Sequence, residues 1–211
     1  MKELIVKPRD LYNEVIVQYS DSHIVDKHIF VEVPKQYEMI AYIDGQIKYR
    51  ENEGTHQVIK KNKEFKAAFI QKKALPDIIW GFGNINVNNE RLKECYRIGA
   101  NGTLQFEIED RQKIADSFPW GNDITVEMIK EKIMPSIKNV GADLLSTYFA
   151  NTSVSVFEIN SKLDEIRVQL AQSFTKDPII KDMGLKIKSL TVNPIHVNDE
   201  DLDVIRNRIN G

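Results

Sequence analysis

The hydrophobic pattern of this chain changes period once, and that change constrains the fold more than any single motif. In the first half apolar residues alternate. Ile29, Val31 and Val33 share one phase, and so do Leu104, Phe106 and Ile108. Alternation is the signature of a half-buried strand. From about Phe118 the period lengthens. Ile129, Ile133, Ile137, Val140, Leu144 and Tyr148 recur at steps of 4, 4, 3, 4 and 4, and Ile159, Leu163, Ile166, Leu170 and Phe174 at 4, 3, 4 and 4. Those spacings place one apolar stripe on each of two helices. A run of strands followed by a run of helices implies an α+β fold. The expected layout is one domain over 1–197, divided into a β-rich subdomain (15–118) and a helical α/β subdomain (119–197), with the boundary at Phe118–Asp123. Residues 198–211 begin a C-terminal helix.

Punctuation refines this outline. Asp44-Gly45 lies between Met39-Ala41-Ile43 and Ile47-Tyr49 and predicts a tight hairpin with a primed turn. Gly99 and Gly102, inside the alternating segment from Glu94 to Asp110, predict a bulge or bend. The stretch Trp80-Gly81-Phe82-Gly83 reads as a turn between strands, with Trp80 in the core. Pro135 should kink or split the first helix. Asp177-Pro178 reads as an N-cap and first helical residue, with Gly184 closing that helix. A phase shift between Ile187 and Leu190 predicts a bulge in the last strand, and Asn198 or Asp199 caps the final helix.

The same residues weigh against several functions. With 29 basic and 31 acidic side chains in 211 residues, the formal net charge is −2, which gives no electrostatic case for nucleic acid. The densest basic run, Lys60 to Phe65, reads as a solvated loop. The single cysteine, Cys95, forms no internal disulfide or zinc cluster and reads as a buried, inert thiol. The N-terminus resembles neither a signal peptide nor a membrane span, and no apolar run reaches bilayer length. A dinucleotide loop after Gly81-Phe82-Gly83 needs glycine where Asn86 stands. An EF-hand starting at Asp199, Asp201 and Asp203 needs glycine at Val204 and glutamate at Asn210. His23 and His28 are five apart, a spacing that points them away from each other on strand or helix. His56 and His196 are isolated. Gly99–Gly102 matches the G-x-x-G of a KH loop but lies in strand-like sequence. Ser117, Ser136 and Ser153 lack a nucleophile-elbow context. The expected site assignment is therefore none: no catalytic, cofactor-binding or metal-binding residue, and a binding or scaffold module rather than an enzyme.

The order of elements carries a resemblance. Trp80-Gly81, then Arg97, Gly99, Ile108 and Asp110, then two amphipathic helices and the Gly184-led strand "GLKIKSLTVNPIHV" are similar to the SPFH domain, the band-7 fold of stomatins, prohibitins and flotillins. The resemblance spans roughly Val15 to Val197 and leans toward a soluble bacterial branch described as virion-core-protein-like. It implies a non-enzymatic, cytoplasmic scaffold that self-associates and binds protein partners, often peripheral to a membrane. Because this sequence shows neither a membrane anchor nor a long coiled coil, weak self-association is expected. Two alternatives are a phage or mobile-element structural protein and a hydrolase with an unrecognised site.

Overall fold

The computed structural model describes residues 4–9, 14–24, 28–58 and 63–210. The basic run's Lys60, Lys61 and Asn62 lie outside the described residues. Helix and strand both contribute heavily, and the fold is α+β, as the change of period implies. Contacts partition the chain into two compact units that interleave along the sequence. The first comprises 1–75, 107–130 and 182–185, and the second 76–106, 131–181 and 186–211. A single cut at Phe118–Asp123 therefore differs from this division in three segments. Residues 76–106 are strand in character yet belong with the helices, while 119–130 and 182–185 belong with the first sheets. Periodicity reports the local face a segment buries, not which element buries it.

The first unit holds two sheets. β1 (Leu4–Val6) runs parallel to β4 (Ile29–Val33), which pairs antiparallel with β7 (Gly54–Val58). The larger sheet has the order β11-β2-β8-β5-β6, with β3 beside β8. Its members are β2 (Val15–Tyr19), β3 (His23–Ile24), β5 (Tyr37–Ile43), β6 (Gln46–Glu51), β8 (Glu64–Gln71) and β11 (Ile124–Thr125). The alternation read from sequence holds: Ile29, Val31 and Val33 are buried and join Tyr37, Met39, Phe65 and Phe69 in one core cluster. Asp44 (φ 48°) and Gly45 (φ 75°) form the primed turn that joins β5 to β6, since both central residues of that turn need positive φ. A short helix, α1 (Arg111–Asp116), is capped by Asp110, whose carboxylate accepts from the Gln112 and Lys113 N–H groups at 3.0 and 3.2 Å.

The second unit is built on one long hairpin. β9 (Ile78–Asn89) pairs antiparallel with β10 (Glu94–Ile108) from Ile78↔Leu104 to Asn89↔Glu94. The stretch Trp80–Gly83 thus lies inside β9 and is not a turn between strands. Neither Gly81 nor Gly83 has positive φ; that falls on Asn84 (φ 56°), next to a register shift between Ile98 and Ala100. The bulge expected near Gly99 is therefore present. Trp80 is buried, with its ring centroid 5.3 Å from Phe82 and 6.4 Å from Phe174. The reading of Cys95 as buried also fails: the thiol is exposed. β10 buries Glu94, Tyr96 and Ile98, and Cys95 points to the other side. The buried carboxylate of Glu94 is held by Ser155 Oγ and the Val156 N–H, each at 3.1 Å.

Along the other side of β10 run β12 (Leu185–Leu190) and β13 (His196–Val197). Thr191 and Asn193 donate backbone N–H groups to Thr103 and Asn101, so this segment is antiparallel to β10. The predicted final strand is thus two short ones. α2 (Val126–Asn151) is unbroken through Pro135, which faces solvent. Its buried positions are Ile129, Ile133, Ile137, Gly141, Leu145 and Phe149, so Val140, Leu144 and Tyr148 flank the stripe rather than continue it. A constant step of four drifts by about 40° per step, and the buried face winds around the helix. A 3₁₀ segment (Val156–Lys162) leads into α3 (Leu163–Lys176), where Ile166, Leu170 and Phe174 are buried as expected and Leu163 is only half-buried. Asp177 caps α4 (Pro178–Asp182), accepting from the Ile180 N–H at 3.1 Å. The last helix, α5 (Asp199–Asn210), is capped by Asn198.

Candidate functional site

Two surface features of the second unit are candidates for function, and each is set up by a local rule of the chain. The first is the root of α5. Arg97 on β10 holds Asp201 with Nε at 2.9 Å and Nη2 at 3.0 Å, a two-pronged guanidinium–carboxylate pair. The Arg97 backbone N–H also donates to Asp201, at 2.8 Å, and Nη2 reaches the Asn198 side-chain oxygen at 2.9 Å. Hydrogen bonds from Arg97 hold the Asp201 carboxyl below its usual value, and those to Asp201 raise the Arg97 guanidinium further. The acids that imitate a calcium loop are thus spent on a helix N-terminus and an arginine. Beyond this anchor Ile205 is buried, while Val204 and Ile209 are 57% and 65% exposed. The expected apolar face of Leu202, Ile205 and Ile209 is therefore divided: Ile205 is buried and Ile209 is not.

The second feature is a groove of about 800 Å³ between α3 and β12. From α3 it is lined by Val168, Ala171, Gln172 and Thr175, at helical spacings of 3, 1 and 3, with Arg167 and Lys176 at its ends. From β12 it is lined by four consecutive residues, Ile187 to Leu190. Successive strand side chains point to opposite faces, so a groove touched by four in a row runs along the strand's edge. Among the described residues β12 has one strand neighbour, β10, and its other edge carries no strand. The charges lining the groove are Arg167, Lys176 and Lys188, and no carboxylate or histidine is among them. Arg167 pairs with Asp164 at 3.1 Å. Among the described residues Lys176 and Lys188 form no ion pair.

Neither feature was read from the sequence. The groove has one sequence trace: Val168 lies off the Ile166–Leu170–Phe174 stripe and is half exposed. The histidines stay apart. His23 is in β3, His56 in β7 beside Glu51 and the Asn52 carbonyl, and His196 in β13. Gly99–Gly102 lies within β10 and not between helices. No group of three or more His, Cys, Asp or Glu side chains suited to a metal occurs among the described residues. The carboxylates with resolved shifts, Asp44, Glu64 and Asp201, are all lowered by partners and stay ionised. Such groups can pair and bind but are poor proton donors. No helix among the described residues is long and apolar enough to cross a membrane.

The residues that carry the resemblance all have structural duties. Trp80 fills a core, Arg97 roots α5, Ile108 is buried and Asp110 caps α1. No curated protein matches the chain. The sequence profile of the SPFH domain-Band 7 family matches residues 60–209, a span that takes in the β9–β10 hairpin, the helices α1 to α5 and the groove. The chain belongs to the SPFH domain-Band 7 family.

Proposed function

We propose that this chain is a non-enzymatic scaffold domain that self-associates weakly, binds protein partners and works in the cytoplasm at or near a membrane surface. Family membership supports scaffolding and partner binding. The observation that carries self-association is α5. A 12-residue helix is marginal in isolation, yet here its root is fixed by Arg97 while Val204 and Ile209 face solvent. α5 is tied near both ends, by Arg97 at its start and by Arg208, which donates to the Lys93 carbonyl at 2.8 Å, and its exposed Val204 and Ile209, about 140° apart on the helix, each offer an apolar contact to a second copy. The groove, lined by cations and apolar groups without a general acid or base, favours binding over chemistry.

Sedimentation velocity over a wide concentration range tests self-association. A concentration-dependent shift is expected for the native chain, with a return to monomer for the Val204→Glu/Ile209→Glu double variant. Both sites are exposed, so the variant retains its core. A strict monomer at every concentration, or an oligomer indifferent to both substitutions, overturns the reading. Membrane proximity rests on the family alone and is tested by flotation with anionic vesicles.

A further inference from the structure

We propose that the α3–β12 groove takes an extended, acidic peptide segment of a partner protein, which adds to β12 as a new strand; the proposal rests on the partner-binding reading above and specifies its site and chemistry. Three observations converge. First, the groove follows a strand edge that has no strand partner among the described residues, and an open edge offers a row of backbone donors and acceptors to an incoming strand. Thr191 and Asn193 donate toward β10. By alternation the N–H of Leu190, next to Thr191, points to the free edge. Second, Val168 and Ala171 on α3 face Ile187 and Leu190 on β12, an apolar floor for every second side chain of an extended peptide. Val168 is half exposed, a position where a solvated helix face calls for a polar residue. Third, Lys176 and Lys188, which form no ion pair among the described residues, give the groove positive charge, while Arg167 at its end is paired with Asp164.

Lysines on an edge strand also guard it against edge-to-edge pairing. That role and the proposed one are compatible and together name the occupant. Lys186 and Lys188 project from β12 at alternate positions, so pairing of β12 with β12 of a second copy sets lysine against lysine. Cross-strand like charges disfavour that pairing and opposite charges favour it. The edge is closed to its own kind and open to an acidic strand.

The test uses the whole chain and a fluorescein-labelled octapeptide alternating Glu and Val, with a Lys–Val octapeptide as control. A saturable rise in anisotropy is expected for the acidic peptide only, weakening as salt rises. Lys176→Glu/Lys188→Glu should weaken binding at least about tenfold, and circular dichroism should show its fold intact because both side chains are solvated. Hydrogen exchange should slow at Leu190 on peptide addition. The proposal is overturned by no binding at millimolar peptide, by equal binding of both peptides, or by binding without protection of the Leu190 amide. A dimer of the chain alone that the double variant abolishes also overturns it, in favour of a second copy as occupant. Sedimentation of the Val204→Glu/Ile209→Glu variant reads self-association through α5 separately, so failure of the peptide test leaves that result standing.

Discussion

At the residue scale, backbone approach and burial decide what each position tolerates. A β-carbon built on Gly102 lies 2.0 Å from the Thr191 carbonyl oxygen and 2.9 Å from the Trp80 ring. The carbonyl belongs to a segment tied to β10 by the Thr191–Thr103 hydrogen bond at 2.9 Å, so the clash is with backbone and cannot be relieved by a rotamer change. Gly102→Ala should destabilise by about 3 kcal/mol or more, the upper range for overpacking. Gly83→Ala is the control, since no atom lies within 4 Å of its added carbon and its φ is ordinary; it should be neutral to stabilising by up to about 1 kcal/mol. Urea midpoints compare the two, and equal midpoints would show that β10 and the Thr191 segment separate freely. The tyrosines give a second readout. Burial, then the carboxylates of Asp116 and Asp123, raise the Tyr19 hydroxyl; burial and Asp116 raise Tyr42, and burial and Glu94 raise Tyr96. Burial, then a hydrogen bond to Glu165, raises Tyr148 to about 12. Raised acids favour the neutral folded form, so this stabilisation is complete below about pH 10 and is lost as pH climbs toward 12. Absorbance at tyrosinate wavelengths should therefore rise for these four together with loss of circular dichroism. Ionisation of all four well below the unfolding transition would contradict their burial.

At the scale of elements, α3 separates what sequence shows from what packing decides. The stripe predicted Leu163 and Leu170 as equivalent. Leu170 is fully buried, whereas Leu163 begins the helix after the 3₁₀ segment and is half-buried. Leu170→Ala should cost about 2–5 kcal/mol, the usual range for a buried leucine. Leu163→Ala should cost clearly less, below about 2 kcal/mol. Equal losses in thermal or chemical denaturation would restore the uniform stripe. Local signals of this kind were legible wherever one residue's chemistry sets one geometry: Asp44-Gly45 fixed its hairpin, Asp177-Pro178 and Asn198 their helix starts, and Gly99 its bulge. Signals with two solutions were not. An alternating strand has two faces, and only the neighbour that buries Glu94 reveals that Cys95 points outward. A stripe with steps of 3 and 4 has two continuations after Ile137, and the structure takes Gly141, a position without an apolar side chain. The groove was invisible because it joins 167–176 to 187–190, two runs distant in sequence whose juxtaposition is a property of the fold. Val168 alone marks it, and one exposed valine is an everyday surface feature.

At the scale of the whole molecule, the chain crosses between its two compact units several times. The β9–β10 hairpin is excursion enough to decide how the protein can be divided. The alternating residues Tyr96, Ile98, Leu104 and Phe106 are buried, and in the second unit the helices that follow bring Leu145, Phe149, Leu170 and Phe174 into the core beside that hairpin. A fragment ending at Phe118 keeps the hairpin and loses those helices. A fragment starting at Pro119 keeps two amphipathic helices and loses the strands. Each uncovers apolar surface whose burial contributes about 25 cal/mol per Å², against a net stability of only about 5–15 kcal/mol for a whole domain. Neither fragment should fold cooperatively alone, although the period change in the sequence falls at that point. The check is to express 1–118 and 119–211 separately and together. Separately, each is expected to give broad amide resonances and no sharp thermal transition; mixed, they are expected to recover a cooperative melt, because every contact of the interleaved units is then available again. A sharp, independent transition in the 119–211 fragment would mean that its helices form a core without β9 and β10, and that the chain is two domains in sequence rather than two units woven from one.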